Sequence, residues 1–359
     1  MTEEKFIPGE ELNREPAEAP SGDNLMLKEA HSDRKITKLE RWLGPENYRI
    51  LRGLVKTPAS IIGFFLVFIF LMIAIFAPAI IPPVGRDAYK MPRDGFSGEP
   101  KQMGAEWKRN KPEIPFWYKT VTGKDEWVHL LGTAQGQYDI FYGIIWGTRT
   151  AFKTGLIVVV ATVLIGVIVG SIAAYYGGIT DNIIMRFVDI FMTLPYIMMA
   201  LILTSILTPI LGKSILPPLI AMISFGWMGY ARIIRSDILS IKERDFVLAA
   251  KVSGVKNSRI LFKHILPNAI FPTLVLASLG IGDVVLSFAA LSFLGIGTQE
   301  GYADWGQILS FARNWITSLD RYWYIVVWPG LTLVLFVMGW NLIGDAMRDV
   351  LDPRMRGKS

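Results

Sequence analysis

Long apolar runs alternate with short charged stretches along this chain. Six runs reach or approach the ~20 residues needed to cross a bilayer as a helix. They cover 59–81, 151–176, 188–211, 215–233, 269–294 and 323–343. The pattern predicts an all-α, polytopic transmembrane helical bundle of six spans. Gly177-Gly178 ends the second run, and Pro195, Pro209, Pro217 and Pro218 interrupt the third and fourth. Prolines kink a span, and neighbouring helices satisfy the freed carbonyls.

Composition agrees with a membrane protein. Hydrophobic residues make up 52% of the 359, and charged residues only 19%. No cysteine is present, which excludes a disulfide framework and a thiolate metal site. The formal net charge of +6 could suggest nucleic acid, but the basic residues flank apolar runs. Topology explains them better, and no nucleic-acid partner is expected.

Charge then sets the orientation. Segment 34–58, before the first run, carries Arg34, Lys35, Lys38, Arg41, Arg49, Arg52 and Lys56 against Glu40 and Glu46. The loop after the fourth run carries Arg232, Arg235, Lys242, Arg244, Lys251, Lys256, Arg259 and Lys263 against Asp237, Glu243 and Asp245. The 345–359 tail adds Arg348, Arg354, Arg356 and Lys358. The positive-inside rule therefore places both termini in the cytoplasm and the 82–150 connection outside. Residues 1–33 are acidic and Pro-rich with no apolar core, so they read as a disordered cytoplasmic tail and not as a signal peptide. Trp107, Trp117, Trp127, Trp146, Trp305, Trp315, Trp323 and Trp328 fall on the outer side or its interface, as anchors against membrane lipid.

The basic loop 232–267 is too long for a connector. Residues 238–252 have helical period, with Ile238, Ile241, Phe246, Ala249 and Ala250 as the apolar set. Gly254 breaks that helix. A second short helix places Ile260, Leu261 and Ile265 on one face and ends before Pro267, which starts the next span. Two short helices at a glycine hinge form a knob, and the small residues Ala249, Ala250, Ser253 and Gly254 let a protein approach closely. The competing reading is an amphipathic hairpin on anionic lipid.

Residues 246–268, FVLAAKVSGVKNSRILFKHILPN, resemble the signature loop of permeases of ATP-binding-cassette (ABC) importers: Glu-Ala-Ala, three residues, Gly, then a spacer to Ile-Leu-Pro. His264 before Ile265-Leu266-Pro267-Asn268 resembles the oligopeptide/dipeptide permease family. Four stretches agree in the family's order: 174–195 (AYYGGITDNIIMRFVDIFMTLP), 229–232 (GYAR), 291–306 (LSFLGIGTQEGYADWG) and 341–354 (NLIGDAMRDVLDPR). The last resembles the second permease of the pair. The chain departs from the pattern with Leu248 at the signature Glu, Phe288 at an acidic position late in the fifth span, and Ala134 and Gln137-Tyr138-Asp139 in the stretch before the second.

The resemblance implies a type I importer permease in a bacterial or archaeal inner membrane. It carries peptides with a second homologous permease, two ABC ATPases that hold ATP and Mg, and an extracytoplasmic substrate-binding protein. It makes Leu248, Ala249, Ala250, Ser253, Gly254, Arg259, His264 and Pro267 the ATPase-coupling residues. The 151–344 core then holds the path. Its candidates are Asp283, the one acidic residue well inside a span, with Gly280, Gly282 and Phe288 near it. No cofactor is expected in the chain itself. Gly212-Lys213-Ser214 and Gly357-Lys358-Ser359 look like phosphate-loop ends, but the required upstream Gly is Leu207 and Asp352. The three histidines, His31, His129 and His264, are scattered, so no metal or nucleophilic site is expected and the chain reads as a transport subunit and not an enzyme.

Two features have open readings. Gly166 and Gly170 form Gly-x-x-x-Gly, which suits packing on the second permease or within the chain. Residues 303–316 could form an amphipathic helix with Trp305, Ile308, Leu309, Ala312 and Ile316 on one side, over the pore mouth or packed on span ends. An oligosaccharide, a nickel complex or glutathione are alternative cargoes. A standalone secondary transporter would predict paired intramembrane charges and internal repeats, which the sequence lacks.

Overall fold

The computed structural model describes residues 57–123 and 125–351. The expected tail 1–33, nearly all of the basic segment 34–58 and the tail from 352 lie outside them. The described residues are helical, with β-structure limited to isolated bridges.

Helix α1 spans Pro58–Ile80 and α2 spans Phe116–Thr122. The long helix α3, Ile140–Tyr176, starts well before the expected 151. Its first turns are held by protein and not lipid: Ile140, Tyr142, Ile145 and Trp146 are all buried. Asp139 caps it by accepting from the Tyr142 N–H at 2.6 Å. Gly177, at φ +63°, ends it.

The expected single span 188–211 is two helices, α4 (Gly178–Met192) and α5 (Tyr196–Leu211), bent by 87°. Pro195 drives the break, because a residue before proline avoids helical geometry. Helix α6 covers Leu216–Ile241 and so continues past the expected loop start at Arg232. The knob helix α7 is Asp245–Val252. A turn at Asn257–Arg259 and a π-helical stretch Ile260–Ile265 lead into α8, Leu266–Phe293. Pro267 has no N–H to give and crowds the carbonyl four residues back, so the widened π turn falls just before it. A short helix, α9 (Trp305–Phe311), precedes α10, Tyr324–Leu351, which runs on past the expected end at 343.

Among the described residues, α1, α3, α10 and the continuous helical stretch Asn257–Phe293 that contains α8 are long and apolar enough to cross a membrane; counting α4 with α5 as one bent span makes five. Helix α6 corresponds to the remaining expected span. It packs on α3, α5 and α8, so its neighbours are protein and its sequence is less apolar.

The Gly166/Gly170 pair is used within the chain. A Cβ on Gly166 would stand 2.6 Å from Tyr230 Cβ and 2.8 Å from the Trp227 carbonyl, and Gly170 lies equally close to Ala231 and Ile234. All four neighbours are on α6. On the other side, Gly63 of α1 lets α10 approach, with Leu342 Cβ 2.8 Å from where a Cβ would be.

The described residues of the connection 81–139 are built around buried charge. Asp94 accepts from Lys101 Nζ, from the Arg109 N–H, from the Lys108 N–H at 2.6 Å and pairs with His129 Nε2 at 3.0 Å. His129 Nδ1 lies 2.7 Å from Asp139, and the Trp107 ring covers the imidazole at 4.0 Å between centroids. This chain of contacts ties the segment to the cap of α3. Burial alone would raise the Asp94 carboxyl, but Lys101, His129 and the two backbone N–H groups outweigh it and hold it below its ordinary range.

Of the expected 303–316 set, Trp305, Ile308 and Ala312 are buried while Ile316 is exposed. Helix α9 ends at Phe311 and tightens to 3-10 geometry over Ala312–Ser318, which rotates Ile316 out of the face. The face packs on span ends: Trp305 contacts Gly147 of α3, and Gly306 sits on the Ala289 backbone of α8.

Candidate functional site

Two places gather the residues that the sequence singled out. The first is the knob. Helix α6 stops at Ile241, and Lys242 Nζ reaches the Ala174 carbonyl at 3.4 Å at the end of α3. The chain reverses and α7 begins. Its inward side chain is Val247, fully buried with Ile234, Ile238, Ile241, Ile260 and Ile265. This corrects the expected face: Phe246 and Ala249 point out, because α7 begins only at Asp245, and its register is set separately from that of α6. Gly254 holds φ +72° with open space where a Cβ would be, so its role is conformational.

The knob therefore presents an apolar outer surface. Phe246 is 43% exposed, Leu248 46%, Phe262 66% and Val252 91%. Ala249, Ser253, Gly254, Arg259 and Pro267 are also exposed, while Ala250 and His264 are half-buried. Lys251, Lys256 and Arg259 add positive charge around the patch. Its stems are braced. Arg235 makes a bidentate ion pair with Asp181, and Arg232 Nη2 meets Asp189 at 2.5 Å, which pins α4 to α6.

The second place is a cavity of about 530 Å³ among α3, α4, α5, α6 and α8. The α4–α5 break forms one wall through Phe191, Pro195 and Tyr196, in keeping with irregular backbone at membrane depth lining a cavity. Asp283 and Gly280 line it. A Cβ on Gly280 would collide with the Tyr230 hydroxyl, so this glycine makes room for Tyr230 on the wall. Gly282 and Phe288 do not line it. Gly282 faces Val337 and Asn341 of α10, and Phe288, 2% exposed, packs with Leu219 and Met222 of α6. Sequence reasoning missed Tyr230, Tyr196 and Thr162 as lining residues, since they come together only through the packing of α3 on α6 and the bend at Pro195.

A helical bundle with a knob between two long helices, one of them braced by ion pairs, and a cavity at a broken helix is the build of a membrane transport component. The chain belongs to the family described as the binding-protein-dependent transport system inner membrane component, which matches residues 163–357. It is similar to the dipeptide transport system permease protein DppC of Alkalihalophilus pseudofirmus, 35% identical over 305 residues, 85% of this chain and 89% of that one. It is also similar to the oligopeptide transport system permease protein OppC of Bacillus subtilis, at 37% over 233 residues, 65% and 73% of the two chains. The nickel transport system permease protein NikC of Escherichia coli is 37% identical over 228 residues, 63% and 79%.

Proposed function

We propose that this chain is one of two permease subunits of an ATP-driven importer for short peptides. It crosses the inner membrane six times with both termini in the cytoplasm. The observation that carries the ATP-driven part is the knob. It exposes Phe246, Leu248, Val252 and Phe262 together with Lys251, Lys256 and Arg259, between the ends of two long helices. Two separate ATPase subunits, which bind ATP and Mg, receive one such knob from each permease. Their closure tilts α6 and α8 as rigid bodies and changes access to the cavity at the broken helix. An extracytoplasmic binding protein delivers the cargo to the outer face. Peptide cargo is supported by the relatives named for dipeptide and oligopeptide transport. The relative named for nickel transport makes a nickel complex the second reading.

The test is assembly and coupled uptake. Co-expressed subunits should purify as a complex with a second permease and two ATPases. Val252→Asp, at the most exposed point of the knob, should lower ATPase retention at least tenfold and abolish ATP-dependent uptake, with membrane insertion unchanged. An active chain without ATPases would overturn the reading.

A further inference from the structure

Among the described residues, the cavity wall has one formal charge: Asp283 is the only acidic residue on it, and no Lys, Arg or His lines it. The side chain is exposed to the cavity, and among the described residues no ion pair engages it. The α4–α5 break brings a helix C-terminus and a helix N-terminus to the same wall. Their opposite partial charges cancel to first order, so the carboxylate sets the sign of the potential.

Position makes that carboxylate costly. Asp283 lies ten residues before the Phe293 end of α8, or about 15 Å at 1.5 Å per residue. That is roughly half the hydrocarbon thickness of a bilayer. Intramembrane acidic groups generally pair or line a solute path, and this one has a cavity in front of it. The hydroxyls of Tyr230, Thr162 and Ser287 share the wall, and Phe191 and Phe225 add aromatic faces. A volume near 530 Å³ is within the ~300–1,000 Å³ range of small-molecule sites. The donor set does not suit a bare transition metal, which favours imidazole or thiolate; the wall has neither.

We propose that Asp283 is a cation-recognition residue that holds a primary ammonium group of the solute in transit. For peptide cargo this group is the free amino terminus. That last step rests on the function proposed above; recognition of an ammonium group does not.

The experiment uses the purified complex of both permeases and both ATPases, without the binding protein, so that its own selectivity cannot contribute. Saturation-transfer NMR titrations compare dialanine, N-acetyl-dialanine and alaninamide. Wild type should bind dialanine and alaninamide at least tenfold more tightly than N-acetyl-dialanine. Asp283→Asn should weaken dialanine and alaninamide by ~10–100-fold, as loss of a charged hydrogen-bond partner does, and leave the acetylated probe unchanged. Asp283→Glu should keep most of the affinity. Equal binding of acetylated and free dialanine by wild type, or no binding of any probe, overturns the proposal. So does undiminished binding by Asp283→Asn. If that variant does not assemble, the wild-type comparison and Asp283→Glu decide. Alaninamide bound in an Asp283-dependent way without dialanine binding would keep the ammonium site and refute peptide cargo.

Discussion

Gly166 has no Cβ because Tyr230 and the Trp227 carbonyl occupy the space where it would be. Gly166→Val forces α3 away from α6, and overpacking of this kind costs ~1–3 kcal/mol. The purified complex should lose several degrees in Tm. Gly229→Ala on α6, with nothing within 4 Å, should leave it unchanged. Asp304 is a second informative residue, in the connection between α8 and α10. It caps α9 by accepting from the Gly306 N–H at 3.1 Å, and burial pushes its carboxyl up to about 6. The unfolded value is ~3.9. Between about 4 and 6 the folded chain keeps a proton that the unfolded chain has lost, so stability falls as pH rises through that window. Asn keeps the cap and removes the titration. Asp304→Asn should therefore be more stable than wild type above pH 6, by roughly 3 kcal/mol at ~1.4 kcal/mol per pKa unit, with the gap closing near pH 4. Tm measured against pH checks this.

At the scale of elements, the spans were legible and their breaks less so. An apolar run reports that a segment belongs in lipid, and it does so for α1, α3, α8 and α10. It does not report direction. The 87° turn between α4 and α5 falls inside the 188–211 apolar run, and Pro195 is its mark in the sequence. The knob shows the same limit. Its glycine hinge was readable from Gly254, but the buried position is Val247 and not Phe246, because α6 and α7 are separate helices with independent phase. The connection 81–139 had no periodicity at all. Its order comes from buried charges far apart in sequence: Asp94, Lys101, His129 and Asp139. Asp94→Ala would leave Lys101 without its partner and the Lys108 and Arg109 N–H groups without an acceptor. Breaking such a network costs ~3–5 kcal/mol. Limited proteolysis should then cut within 81–139 at least tenfold faster, with helical circular dichroism unchanged.

For the whole molecule, the proposed orientation rests on the charges that flank the apolar runs. Basic residues crowd the knob and, in the sequence, the segment before α1. A phosphatase reporter inserted at Gly98 should be active only from the outer side, and a fluorescent protein fused after Ser359 should fold in the cytoplasm. The reverse pattern would invert the topology and remove the knob from any ATPase. Exposed apolar side chains on α1, including Phe65 and Phe68, suit lipid or a partner helix.

The amino-acid sequence alone determined membrane residence, the helical class, the glycine-hinged loop and its family resemblance. These are local properties: run length, charge flanks and fixed spacing. Tertiary structure decided what faces what. It turned Gly166 and Gly170 inward to α6, buried Phe288, and placed Asp283, without an ion-pair partner among the described residues, beside a cavity that the α4–α5 break at Pro195 helps to line. A side chain's surroundings depend on helix rotation and on bends contributed by distant residues, and spacing along one segment does not encode them.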